Sequence, residues 1–239
     1  LLMIATNSNY FSPDHNGLIL LLDSKNPRSY PGTGLNWYDL SLQGNHCALD
    51  ATRPPTFDTT TKMFNFAIAN QNRAVVPHDD SFNFGTGDFT ILHYSEHPVV
   101  GDVVGCVLQK GTRFDANVPG WLVCSHAGNG GLYQVISDGS SRIEMWWPGI
   151  GIPTFTIGLH GLLRRNGLLY HVYHGVAYNY ILAGGSGAQD SNVDCANDIY
   201  IGYSAFYNSY WNGSISKIII YNRGLSDAEL SNLLQRGNL

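Results

Sequence analysis

Hydrolytic chemistry on a sugar needs two carboxyl groups flanking the scissile bond, one acting as acid/base and one as nucleophile or base. The chain holds three glutamates, Glu96, Glu144 and Glu229. Glu144, in RIEMWW, is the only one beside aromatics, and no carboxylate partner stands near it in sequence. Glu229 follows Ser226 by three residues and reads as a helix-capping residue. No G-x-S-x-G, phosphate-binding loop or H-E-x-x-H occurs. The expectation is a protein that does not catalyse.

Metal chemistry has one candidate. Asp190-Ser191-Asn192-Val193-Asp194 opens like a calcium loop, D-x-N-x-D, with Asp198 four residues on. Asp190, Asn192 and Asp194 are the candidate calcium ligands. The place of the loop glycine holds Cys195, and the place of the bidentate glutamate holds Ile201. A solvated acidic loop is therefore the preferred reading, and no other cofactor is expected. His93 and His97 are four apart, but in a strand that spacing does not converge two imidazoles. The four cysteines, Cys47, Cys106, Cys124 and Cys195, contain no C-x-x-C pair. Cys106 and Cys124 lie in apolar runs and read as buried thiols; a cross-strand disulfide between them is the alternative.

Binding chemistry has the richest signal. Tyr203, Phe206, Tyr207, Tyr210 and Trp211 fall within nine residues, and Trp146-Trp147 precede Pro148-Gly149. Sugar rings pack their C–H faces on aromatic faces while polar groups fix the hydroxyls. The candidate ligand contacts are Tyr203, Phe206, Tyr207, Asn208, Tyr210 and Trp147. The competing reading is that these rings fill the core or a subunit interface.

Short β elements must position these residues. Leu18 to Leu22 is a continuous apolar run ending in Asp23, as expected of a strand buried on both faces. Asp88 to Tyr94, Val103 to Gln109, Trp121 to Ser125, Ile143 to Trp147, Thr154 to Leu159, Leu168 to His174 and Val176 to Leu182 are further strands. Asn166-Gly167 is the two-residue hairpin dipeptide. Ile215 to Tyr221 is the last strand; Asn222-Arg223-Gly224 turns the chain into a helix that begins at Ser226. Leu230, Leu233 and Leu234 share one face of that helix and are expected to lay it over the sandwich and seal one end. Residues 1–16 read as an N-terminal arm, and 17–239 as one domain. Charged residues are only 13% and the net charge is −5 with no basic block, so nucleic acid is not an expected partner. The opening LLMIA is too short for a membrane span.

On these stations the chain resembles LamG-like domains of the concanavalin A-like lectin/glucanase superfamily, of the type found in tailed-phage virion proteins. The resemblance rests on residues 17–45, 64–77, 87–96, 166–175 and 198–230. It implies an all-β, two-sheet antiparallel jelly-roll sandwich with a short C-terminal helix. It also implies a lectin-like module that binds glycans or neighbouring virion proteins. The implied setting is a virion surface or extracellular space, within an oligomer or larger assembly; the alternatives are a secreted or cell-surface carbohydrate-binding protein and, after it, a glycoside hydrolase with atypically placed acids. Two departures matter. Glucanases of the superfamily carry E-x-D-x-x-E on one strand, and none of the three glutamates starts that motif. Pentraxin-like relatives hold calcium with acids where this chain has Asn70-Gln71-Asn72, which argues against that metal site.

Overall fold

The structure, a computed structural model, describes residues 13–96, 104–111, 118–126, 131–146, 157–179, 181–204 and 209–237. Among them are two large antiparallel sheets, one small hairpin and one α-helix, Asp227–Gly237.

The first sheet runs, in spatial order, Val176–Asn179, Leu168–Tyr173, Gly158–Arg165, Phe89–Glu96, Gly213–Tyr221, Met63–Phe66 and Thr56–Asp58. Leu18–Asp23 pairs with the same edge of Gly213–Tyr221, matching Leu18 to Tyr221 and Asp23 to Lys217. The second sheet runs Ile181–Gly185, Arg142–Trp146, Gly131–Ser137, Gly120–His126, Val104–Gly111, Ile199–Ile201, Ala74–Val76, Cys47–Leu49 and Asn36–Trp37. Alternation along each strand sorts the side chains. Ile91, Leu162, Ile218 and Ile220 face the second sheet's Trp121, Val123, Ile136 and Met145, forming the core between the layers. The intervening Leu92, Leu163, Ile219 and Tyr221 form a second apolar cluster on the outer face of the first sheet. This is the β-sandwich of the jelly-roll type that the strand pattern implies.

The helix covers that outer cluster. Leu225, Leu230 and Leu233 are buried against Leu92, Leu163 and Ile219, so the helix lies over a face of the first sheet. The reason is the apolar outer row, which a single-sided sheet would leave in water. The capping box is formed: the Ser226 N–H donates to Glu229 Oε2 at 2.8 Å, and the Glu229 N–H donates to Ser226 Oγ at 3.3 Å. Arg223 also pairs with Glu229 at 2.7 Å. The Arg223 hydrogen bond leads the effects that lower the Glu229 carboxyl to about 2, with Ser226 adding to it against burial. A depressed carboxyl stabilises the fold above its unfolded value and loses that contribution as pH falls. The stability of Glu229→Ala is therefore expected to fall about 1 kcal/mol below the parent at neutral pH. The gap should close between pH ~4.5 and ~2 in acid-titrated thermal melts.

Two strands differ from their sequence assignments. Val176 to Leu182 reads as one strand, yet Val176–Asn179 belongs to the first sheet and Ile181–Gly185 to the second. Thr154 to Leu159 reads as a strand, yet the strand is Gly158–Arg165, and residues 154–156 lie outside the described residues. Two adjacent arginines look like the end of an apolar run. Arg164 nevertheless points inward and is fully buried, so the alternation continues through it. Its guanidinium donates to the carbonyls of Gly87, Ser191 and Gly85 at 2.6–2.7 Å and lies 4.7 Å from the Phe89 ring centroid. The hairpin that follows is as expected: Asn166 and Gly167 both have positive φ, and both their N–H groups donate to Asp88.

Candidate ligand-binding surface

The aromatic run after residue 200 is placed by a glycine. Ile199–Ile201 is held between Ala74–Val76 and Val104–Gly111. Gly202 then takes φ +72°, and a Cβ there would lie 2.2 Å from the Phe66 ring. Only glycine satisfies both the conformation and the contact. The turn lifts Tyr203–Ser204 out of the sheet to pair with Ser209–Tyr210 as a small hairpin. Tyr203 and Tyr210 are direct cross-strand partners with stacked rings, centroids 5.0 Å apart. Tyr200 meets Tyr203 edge-on at 5.8 Å.

A cation completes the patch. The Arg73 guanidinium lies 5.5 Å from the Tyr203 centroid, and its Nε donates to Asp50 Oδ2 at 2.5 Å. Burial works against the Asp50 anion, but the hydrogen bonds from Arg73 and Thr52 hold its carboxyl well below the usual range. The Asp50 bond in turn raises Arg73. Both are ionised at neutral pH. The arrangement offers a half-buried aromatic face beside a planar donor fork and a carboxylate, which are the groups that recognise a sugar ring and its hydroxyls.

The candidate residues therefore divide. Tyr203 is half-buried and presents surface. Tyr210 is 5% exposed and supports Tyr203 from below instead of offering its own face. Trp211 is buried in the inter-sheet core. Phe206, Tyr207, Asn208 and Trp147 lie outside the described residues. Tyr200, Arg73 and Asp50 were not singled out by the sequence. Nothing local marks Arg73 and Asp50, because strand pairing across more than a hundred residues brings them to Tyr203, whereas Tyr200 stands three residues before Tyr203, where the aromatic clustering could have found it.

The acidic loop is engaged elsewhere. Asp194 Oδ1 accepts from the Gly85 N–H at 2.6 Å, and Asn192 Oδ1 accepts from the Asp194 N–H at 2.9 Å. Asp190 is exposed. Burial lowers Arg164 to about 10, while the charges of Asp88, Asp190 and Asp194 pull it back up. The loop's acids thus face an internal cation, and the calcium ligands read from D-x-N-x-D have a counter-charge without a metal. No cluster of three or more metal-binding side chains occurs among the described residues. Asn72, in the place of the pentraxin acids, is also engaged with the backbone: its Oδ1 accepts from the Ala67 N–H and its Nδ2 donates to the Pro54 carbonyl.

Glu144 is similarly held. Tyr133 Oη donates to its Oε2 and Arg142 Nε to its Oε1, both at 2.6 Å. Cys106 and Cys124 are direct cross-strand partners, fully buried, with free thiols; burial first, and the neighbouring Cys106 next, pushes the Cys124 thiol well up. His93 faces the inter-sheet space, its Nδ1 2.9 Å from Ser95 Oγ and its ring 5.8 Å from that of His160. His97 lies outside the described residues.

The sandwich recurs in solved structures. The chain is similar to the binding domain of Paraclostridial Mosquitocidal Protein 1, with 14% identity and a TM-score of 0.66 over 91% of this chain and 52% of that one. It is similar to the binding domain of botulinum neurotoxin DC, solved in complex with rat synaptotagmin II, with 12% identity and a TM-score of 0.68 over 93% and 52%. It also resembles a Trypanosoma rangeli sialidase solved with sialic acid, with 13% identity and a TM-score of 0.61 over 93% and 33%. No family model and no curated protein sequence matches the chain. The fold is thus a β-sandwich shared with these structures. The chain spans about half the length of the toxin binding domains and a third of the sialidase.

Proposed function

We propose that this protein is a non-catalytic, lectin-like carbohydrate-binding module whose contact surface is Tyr203 with Tyr200 and Arg73. The observation that carries the reading is the half-buried Tyr203 ring, held between its Tyr210 support and the Arg73 guanidinium. Rings fixed before binding lose little conformational freedom on contact, which favours affinity. The recurrence of the sandwich in toxin binding domains supports a binding role. The engaged state of Glu144 favours it over hydrolysis. Its setting is extracellular, at a cell or virion surface and within a larger assembly. The resemblance to phage virion domains favours the virion.

Glycan-array binding tests this. Tyr203→Ala is expected to weaken array binding about tenfold, equivalent to ~1.4 kcal/mol, with the fold intact by circular dichroism. Unchanged binding in Tyr203→Ala and Arg73→Ala removes the site. Release of reducing sugar that disappears in Glu144→Gln overturns the non-catalytic reading.

A further inference from the structure

We infer that the cavity between the 24–32 loop and the Thr56–Asp58/Met63–Phe66 hairpin is a second carbohydrate subsite, selective for a sugar ring that carries a carboxylate. The inference rests on the carbohydrate-binding reading above, but not on Tyr203. The cavity measures about 260 Å³, and Lys25, Lys62, Tyr30, Phe57, Pro31 and Gly32 are among its walls. That volume falls just below the range for drug-sized ligands and suits a single ring.

Its floor is aromatic and anchored in the core. Trp37 and Phe64 are fully buried and 4.7 Å apart. Tyr30 packs edge-on against Phe64 at 4.6 Å and against Phe57 at 4.8 Å. Phe57 is the outermost ring and remains half-buried. A ladder of rings thus rises from the core and ends on a fixed aromatic face at the cavity. Such a face matches the C–H side of a pyranose better than a bare inorganic anion.

Its charge is unusual for this chain. The sequence has four lysines. Lys110 and Lys217 are fully buried. Lys25 and Lys62, the two that reach solvent, both line this one cavity. Neither ammonium is in an ion pair among the described residues. The nearby acids are engaged: Asp23 lies 3.7 Å from Lys217, and Asp58 accepts from the N–H groups of Thr60 and Thr61. In a protein of net charge −5, this is a local cationic point beside an aromatic face.

The backbone adds a third observation. Lys62 sits at φ +57° in the hairpin turn, where glycine or asparagine is accommodated at lower cost. The Ser24 hydroxyl donates to the Lys62 carbonyl at 2.5 Å and holds that turn against the 24–32 loop. The Lys62 ammonium lies 5.9 Å from the Phe57 centroid. A side chain disfavoured by its backbone and held near the outermost ring of the cavity is suited to a point charge for an anion. The ligand carboxylate would take Lys25 and Lys62, and its ring would lie on Phe57.

Titration calorimetry with methyl glucuronide, methyl glucoside and methyl glucoside 6-sulfate tests the assignment. The glucuronide is expected to bind at least tenfold tighter than the other two, with the advantage shrinking as salt is raised. Lys25→Gln combined with Lys62→Asn should erase the preference, and Lys62→Asn relieves the backbone, so loss of fold does not confuse the result. Phe57→Ala should weaken the glucuronide, and Tyr203→Ala should leave it unchanged. Equal binding of acid and neutral sugar, equal binding of the sulfate, or a preference that survives the double lysine variant overturns the inference. If array glycans still depend on Tyr203 in those cases, the proposed function stands without this subsite. If the glucuronide binds here while Tyr203→Ala leaves glycan-array binding unchanged, the subsite stands and the Tyr203 surface falls. No binding of any sugar at either place removes both.

Discussion

Arg164→Met is expected to lower the unfolding free energy by about 3–5 kcal/mol, read as a shift of the urea midpoint at unchanged slope. Methionine keeps the length and apolar character of the side chain, so packing on Phe89 is largely retained. What is lost is the guanidinium, and three buried-side carbonyls, of Gly85, Gly87 and Ser191, lose their donor. The acids Asp88, Asp190 and Asp194 lose their shared cation at the same time. Arg164→Lys should recover only part of the loss, because an ammonium cannot reproduce the planar fork. Millimolar calcium is expected to leave the parent's midpoint where it is. A midpoint for Arg164→Met within 1 kcal/mol of the parent sinks the idea that this arginine holds the acidic loop.

The second large effect is expected at Asp39. Its carboxylate is 8% exposed and accepts from the N–H groups of Leu21, Ser41 and Asn45 and from the Ser41 hydroxyl. Asn45 then donates from its amide to the Ile19 carbonyl. The Trp37–Asn45 segment is thereby tied to the Leu18–Asp23 strand. Asp39→Ala leaves several donors without an acceptor, each costing ~1–3 kcal/mol if it stays buried. A net loss of about 3 kcal/mol is expected. Hydrogen exchange discriminates the cause, since the Leu21 and Asn45 amides should lose protection before the neighbouring strand does. Protection lost evenly across the first sheet argues for a general effect instead. Asp39→Asn should fall between, because its amide nitrogen meets two of those donors head-on.

The elements that local chemistry specifies were legible. Ser226 and Glu229 announce the helix start through their spacing alone, and Asn166-Gly167 announces its hairpin through the φ values only such residues adopt easily. Leu18 to Leu22 reads as doubly covered because both its faces are apolar, and the structure buries both. Legibility ended where a residue's role depends on a distant partner. Arg164 lay beyond the strand expected to end at Leu159; a charge is costly inside, and only the three carbonyls that receive it make it an interior residue. The leucine face of the helix announced that it would lie over the sandwich, but the outer apolar row of the first sheet that it covers is visible only once the strands are in register. At the candidate surface, Tyr203 was found by clustering with other rings. Arg73 and Asp50 were not, since their approach is made by sheet order. Tyr210 was overvalued because alternation within a two-residue strand gives no sense of which side faces in.

The pairing of Leu18–Asp23 with Gly213–Tyr221 has a kinetic consequence. Asp14 is tied to Tyr221 across 207 residues of sequence, and Gly213–Tyr221, which three strands of the first sheet pair with, follows all the others of that sheet in sequence. Closing so long a span costs entropy that no local contact offsets along the way. The sandwich should therefore fold slowly, in one cooperative step that waits for Gly213–Tyr221 to become available. Until then the Leu18–Asp23 strand is an uncovered apolar edge. Refolding yield that falls steeply with protein concentration, and recovers at low concentration, is the behaviour this topology calls for.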